Sequence, residues 1–301
     1  MLDDRRFGEL VEARARRPEA VVAAARRRTR RPLLEERGTL FLIAADHPAR
    51  GALAVGDDPW AMADRRELLD RLLTALGRDG VDGVLATADI IEDLLLLGAL
   101  DGKVAVGSMN RGGLAGASFE LDDRFTGYTV PGLVAAQLDG GKMLLRIADD
   151  DPGSLATLVA CAGAIGELAA AGLVAMVEPF AARRVDGRVR IDLRPDPMIR
   201  ALAIASGLAT TSAYTWLKVP VVAEMERVMG ATTLPCLLLG GDLDEDREAT
   251  LKAWASALAL PNVRGLVVGR TLLYPPDGDV VAAVDAAAGL LAQAPAERAA
   301  P

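Results

Sequence analysis

The sequence predicts an α/β protein, a closed (β/α)8 barrel with an extra helical segment in front of it. Three observations carry this. From Thr39 onward, eight short β-type runs alternate with helical segments. The runs are almost continuously apolar, as strands covered on both faces must be. Their polar residues gather at the C-terminal ends, the face on which such barrels build their sites. Strict alternation implies right-handed crossovers and a parallel sheet, and eight repeats in roughly 250 residues suit a closed barrel better than an open doubly wound sheet.

Residues 1–38 come first, rich in arginine between Arg5 and Arg31 but flanked or interrupted by Asp3, Asp4, Glu9, Glu12 and Glu19. A transit peptide avoids acids, so this reads as a solvated helical extension. The barrel is assigned to 39–295 and a short tail to 296–301. Expected strands are Thr39–Asp46, Gly83–Asp89, Val104–Met109, Lys142–Ile147, Leu173–Phe180, Thr215–Val221, Pro235–Asp242 and Val263–Arg270. Between and after them, helices are expected at Trp60–Leu76, Ile90–Leu97, Leu133–Leu138, Leu155–Ala170, Met198–Ala205, Val222–Met229, Glu245–Leu258 and Val280–Leu291. Two long loops, Asn110 to about Val130 and Ala181 to Pro197, fall on the C-terminal face, as lids or as solvated excursions.

Composition narrows the function. With 51% apolar and 25% charged residues the chain can bury a large core. A net charge of −8 argues against a nucleic-acid surface, and the apolar stretches are broken before the roughly 18 residues of a membrane span. Cys161 and Cys236 sit in apolar segments as small buried hydrophobes, so no disulfide framework is implied and a cytoplasmic protein is expected. A homo-oligomer is one arrangement open to it.

Lysine is rationed. Only Lys103, Lys142, Lys218 and Lys252 stand against thirty arginines, and two of the four lie inside apolar β-type runs. Burying an ammonium without a role is costly, and lysine alone can lose its proton near neutrality and attack a carbonyl. Lys142, Glu178 and Lys218 occupy the fourth, fifth and sixth strands, one βα unit apart, so their side chains can converge inside the barrel. A second ammonium and desolvation lower a lysine pKa, and Glu178 could move protons; a buried Lys–Glu pair that merely fills the barrel is the alternative. Lys142 opens its strand, which places it a layer below Arg146. Asp46 ends the first strand, to bind a substrate hydroxyl or to tie a loop. His47 is the only histidine, which removes a histidine-built zinc site. Gly240 and Gly241 after the seventh strand, with Gly269 and Arg270 after the eighth, suit a phosphate, although a Gly-Gly pair can simply turn the chain.

On these residues, from about Thr39 to Leu273, the chain resembles the class I aldolases that include tagatose-bisphosphate, archaeal-type fructose-bisphosphate and deoxyribose-phosphate aldolases, and it looks closest to an actinobacterial branch linked with inositol catabolism. The resemblance rests on Asp46, on Lys142 opening a Lys-x-Leu-Leu strand, on Glu178, and on Lys218 in Leu-Lys-Val before a proline. It implies Lys218 as the Schiff-base lysine, Lys142 as the group depressing its pKa, Glu178 as proton shuttle and Asp46 as hydroxyl ligand, with no metal or organic cofactor. His47 stands where that group commonly has glutamine and Arg146 where it has tyrosine, so the substrate is expected to differ; an arginine at the cavity suits a carboxylate or a second phosphate. The expected partner is a small phosphorylated keto sugar or keto-sugar acid, with 5-dehydro-2-deoxy-gluconate 6-phosphate in front of deoxyribose 5-phosphate and ketohexose bisphosphates. A phosphosugar isomerase or decarboxylase using Asp46 and Lys142 without an imine, and a sugar-phosphate sensor without turnover, are the rivals.

Overall fold

The computed structural model describes residues 2–240 and 247–293. Eight parallel strands close into a barrel: β1 (Leu40–Ala45), β2 (Gly83–Ala86), β3 (Val104–Ser108), β4 (Gly140–Ile147), β5 (Val174–Val185), β7 (Thr215–Val219), β8 (Cys236–Leu239) and β9 (Val263–Val268). Pairing of β1 with both β2 and β9, and of β4 with β5, completes the ring. Helices α3 (Arg65–Leu76), α4 (Ala88–Leu96), α5 (Val130–Ala135), α6 (Pro152–Ala170), α7 (Pro195–Ser206), α8 (Met225–Met229), α9 (Arg247–Leu258), α10 (Arg270–Leu273) and α11 (Val280–Ala292) fill the connections.

Alternation along the strands sorts side chains into two cores. Leu40, Leu42, Val104, Val106, Met176 and Trp216 point inward with Leu237 and Val267 and fill the lower barrel. Phe41, Ile43, Val84 and Leu145 point outward against the helices. The barrel is a packed plug below and leaves room only at the top. At Gly265 the backbone is at φ +143°, and an added Cβ would lie 1.9 Å from the Leu40 carbonyl oxygen, so β9 meets β1 there only as glycine.

Several elements differ from the sequence reading for identifiable reasons. The expected loop from Ala181 is a hairpin: β5 runs on to Val185 and pairs antiparallel with β6 (Arg188–Asp192). Asp186 and Gly187 form the turn with φ of 51° and 76°, the Asp-Gly signature of a type I′ hairpin. The third helix begins at Arg65 rather than Trp60 because the Asp64 carboxylate accepts from the Glu67 amide and caps it there. Asp89, expected at a strand end, lies in the first turn of α4, where it accepts from the Thr87 hydroxyl and pairs with Arg65. The end of the expected seventh strand, including Asp242, lies outside the described residues.

The helical extension before β1 is two helices, α1 (Asp4–Arg16) and α2 (Glu19–Arg27), and one face of it packs on the barrel and is not solvated. Leu2, Leu10, Ala24 and Ala25 are buried. The following segment crosses the bottom of the barrel, with Leu33 and Leu34 packed on the inner core. Arginines fasten it: Arg31 and Arg37 bind Asp82, and the buried Arg28 donates to the Lys103 and Gln137 carbonyls and to Asp139. Asp139 keeps Arg30 and the Ala105 amide, so loss of Arg28 chiefly strands the Lys103 and Gln137 carbonyls. Arg28→Met should therefore cost about 1–3 kcal/mol, read as a lowered urea midpoint at unchanged m-value.

Candidate active site

The inner positions that are apolar at the bottom become polar at the top. One step beyond Ala44, Val106, Met176 and Trp216 on the inward face come Asp46, Ser108, Glu178 and Lys218. Lys142 shares the inward face of β4 with Leu144 and Arg146, and its Cα partner on β5 is Met176, one inner position below Glu178. β4 begins at Gly140, so Lys142 is its third residue; it starts a layer below Glu178, and its long stem reaches up to the carboxylates.

Asp46, Ser108, Lys142, Glu178 and Lys218 meet, with Arg111, in a buried network. Glu178 bridges the two lysines, with one oxygen on Lys142 and the other 2.8 Å from Lys218 Nζ. Lys142 Nζ also lies 3.2 Å from Asp46 Oδ2, the oxygen that accepts from Ser108 Oγ at 3.1 Å and from Arg111. Arg111 Nε donates to Ser108 Oγ at 2.8 Å. Asp46, Lys142 and Lys218 are each no more than 3% exposed, and Glu178 is 8% exposed.

Electrostatics follow from this crowding. Burial pushes the Lys218 amine below its usual range; Glu178 pulls it back, while Arg111 and Arg270 push it further down. Lys142 is held well below its usual value by burial, then by Arg111. For Glu178, burial opposes ionisation but the two lysines outweigh it, so its carboxyl stays well below the normal range. Burial, then Arg270 and Lys218, keep the His47 imidazole neutral, with its buried Nδ1 lacking a hydrogen-bond partner among the described residues.

Above the network opens a cavity of about 580 Å³. Asp46, His47, Lys142, Glu178 and Lys218 line it, and Gly240, Gly269 and Arg270 form part of its wall. Phe180, Ile191 and Leu193 lean in from the hairpin, so the expected lid is a structured wall. The two glycines have packing reasons of their own. A Cβ on Gly269 would come within 2.4 Å of the Ala44 carbonyl oxygen, and one on Gly240 within 2.9 Å of Thr271 Oγ1. Gly241 lies outside the described residues. A second hollow of about 620 Å³ sits outside the barrel between the hairpin and α7, but its Arg194, Arg200 and Arg227 are paired with Asp192, Asp149 and Asp196. The buried amines are all in the central cavity.

Arg146 is the clear departure. It does not line the cavity: its guanidinium is held by Asp123 at 2.7–2.8 Å and by the Glu120 carbonyl, pinning the loop after β3. Asp123 is fully buried and supplies the charge that a substrate anion was expected to bring. Two arginines missed by the sequence reading line the cavity instead. Arg111 follows the polar end of β3, and Arg50 sits in the 3-10 turn after β1, donating Nε to the Gly113 carbonyl with the Glu120 carboxylate 3.7 Å away. Among thirty arginines neither stands out by type; position just past a strand end was the available signal.

Comparison with known proteins bears on the family and the fold. Among solved structures, that of Cgl0159 from Corynebacterium glutamicum (Brevibacterium flavum) is 56% identical, over 96% of this chain and 97% of that one, with a TM-score of 0.94. An archaeal fructose 1,6-bisphosphate aldolase shares 19% identity over 90% of this chain and 98% of its own, TM-score 0.63. A fructose-bisphosphate aldolase from Slackia heliotrinireducens shares 15% over 95% and 90%, TM-score 0.65. At such identities the likeness is one of fold, the aldolase-type (β/α)8 barrel. No curated protein matches the sequence. A family profile described as Cgl0159-like covers residues 38–288, the barrel from just before β1 into α11, and the chain belongs to that family.

Proposed function

We propose that the protein is a class I aldolase that cleaves a phosphorylated keto sugar or keto-sugar acid through a Schiff base on Lys218. The observation that carries this is the buried Lys142–Glu178–Lys218 chain at the floor of the cavity. Fold likeness to a Schiff-base-forming fructose-1,6-bisphosphate aldolase adds support. In this reading the neutral Lys218 amine attacks the ketone carbon. Proton transfers through Glu178 expel the carbonyl oxygen as water and leave a protonated imine. Loss of the proton from the hydroxyl β to the imine carbon breaks the carbon–carbon bond, and the electron pair passes into the imine to give an enamine. Protonation of the enamine and hydrolysis release the second product. Lys142 keeps Glu178 ionised, and Asp46, whose Oδ2 is committed to Arg111, Ser108 and Lys142, offers Oδ1 to a substrate hydroxyl.

The substrate we favour is 5-dehydro-2-deoxy-gluconate 6-phosphate, cleaved to dihydroxyacetone phosphate and malonate semialdehyde, with deoxyribose 5-phosphate and ketohexose bisphosphates as competitors. Arg270 serves the phosphate. With Arg146 spent on Asp123, Arg50 takes over the second anion. Arg270→Ala should raise KM by roughly 10–100-fold for every phosphorylated substrate, the scale of a lost charged hydrogen bond. Arg50→Ala should do so only for a doubly anionic one. Steady-state kinetics on the three substrates, read by aldehyde and triose release, test both. Cleavage of deoxyribose 5-phosphate with the highest kcat/KM, and a silent Arg50→Ala, would refute the keto-acid assignment.

A further inference from the structure

We propose that Arg111 is a positioning residue that sets the charge balance of the floor, so that Lys218 is left as a free amine. The inference rests on the reading of Lys218 as nucleophile. Five ionisable side chains are joined by direct contacts: the cations Arg111, Lys142 and Lys218 and the carboxylates Asp46 and Glu178. Three positive charges face two negative ones in a region nearly closed to water, and a surplus charge there is costly. Guanidinium does not give up its proton under ordinary conditions; lysine does. One of the two lysines must therefore discharge.

The contacts decide which. Arg111 occupies Asp46 Oδ2 together with Ser108 and is itself 6% exposed, so it cannot be solvated away. Burial and Arg111 press harder on Lys142 than on Lys218, but Lys142 touches both carboxylates whereas Lys218 touches Glu178 alone, so by direct contact Lys218 is the ammonium with fewer counter-charges. Around Lys218 stand Glu178 from β5, Lys142 from β4, Arg111 after β3, Asp46 and His47 at the end of β1, and Arg270 after β9, while β8 presents Leu237 and Leu239. The His47 imidazole is neutral there and adds no charge. Without Arg111, Asp46 would be free to balance Lys142, Glu178 would be left to Lys218, and both lysines could remain charged.

The test needs no natural substrate. Reductive methylation with formaldehyde and cyanoborohydride, followed by mass spectrometry, reads the pH midpoint of Lys218 reactivity against that of the exposed Lys252 on α9. Formaldehyde is uncharged, so loss of an arginine does not change its access through charge. In the wild type the Lys218 midpoint should fall below that of Lys252. Arg111→Met and Arg111→Gln should both raise it by about one pH unit or more. Gln retains a donor for Asp46 and Ser108, so the rise there reports charge and not packing. Arg111→Lys should stay near the wild type. A depressed midpoint that neither neutral variant moves, or one that Arg111→Lys raises equally, overturns the inference while leaving the nucleophile in place. A wild-type Lys218 midpoint equal to that of Lys252 overturns both.

Discussion

Lys218→Arg is expected to lose turnover by roughly 10⁴-fold or more while remaining folded. Substitution keeps a cation beside Glu178 and fills similar volume, so a role limited to pairing would survive it. Nucleophilic attack does not, because guanidinium has no usable lone pair at accessible pH. The comparison with Lys142→Arg sharpens the assignment. Lys142 contacts Asp46 and Glu178 and is 1% exposed. Its arginine variant should lower activity but still form the covalent adduct at Lys218. A fully active Lys218→Arg would remove the imine from the reaction.

Glu178→Gln should lower kcat by roughly 10²–10⁴-fold, the usual scale for a lost acid–base group, and leave Tm within a few degrees. Buried lysines that lose their counter-ion can release protons instead of remaining charged, so the fold is not obliged to absorb the change. The sign of the pH effect is fixed. Glu178 raises the Lys218 pKa, so its removal moves the midpoint of Lys218 reactivity to lower pH, opposite to loss of Arg111. Adduct formation should slow along with turnover, because loss of water from the carbinolamine needs the same carboxylate. Unfolding, with full specific activity in whatever stays folded, would make Glu178 a structural partner only.

Much of this was legible in the sequence, for physical reasons. Parallel strands covered on both faces must be apolar, so polar residues at Asp46, Glu178 and Lys218 stood out against the runs containing them. The low count of lysine drew attention to Lys142, and its long stem made its low position in β4 compatible with the site. What escaped depended on pairing between distant segments. Arg146 shares the inward face with Lys142, but only the folded loop brings Asp123 onto it. Arg111 and Arg50 project from turns whose paths periodicity does not specify. Asp186-Gly187 was a readable hairpin signal between β-type residues, and reading the segment as a loop overlooked it.

The most direct test is reductive trapping. Borohydride should be added to the protein with each candidate phosphorylated keto sugar in turn, and the mass increment located by peptide mapping. Inactivation is expected, with a substrate- or triose-derived increment on the peptide carrying Trp216 and Lys218 that is absent from Lys218→Arg. An increment on Lys142 instead would exchange the two lysine roles, and turnover of any substrate without a trappable adduct would contradict the Schiff-base mechanism.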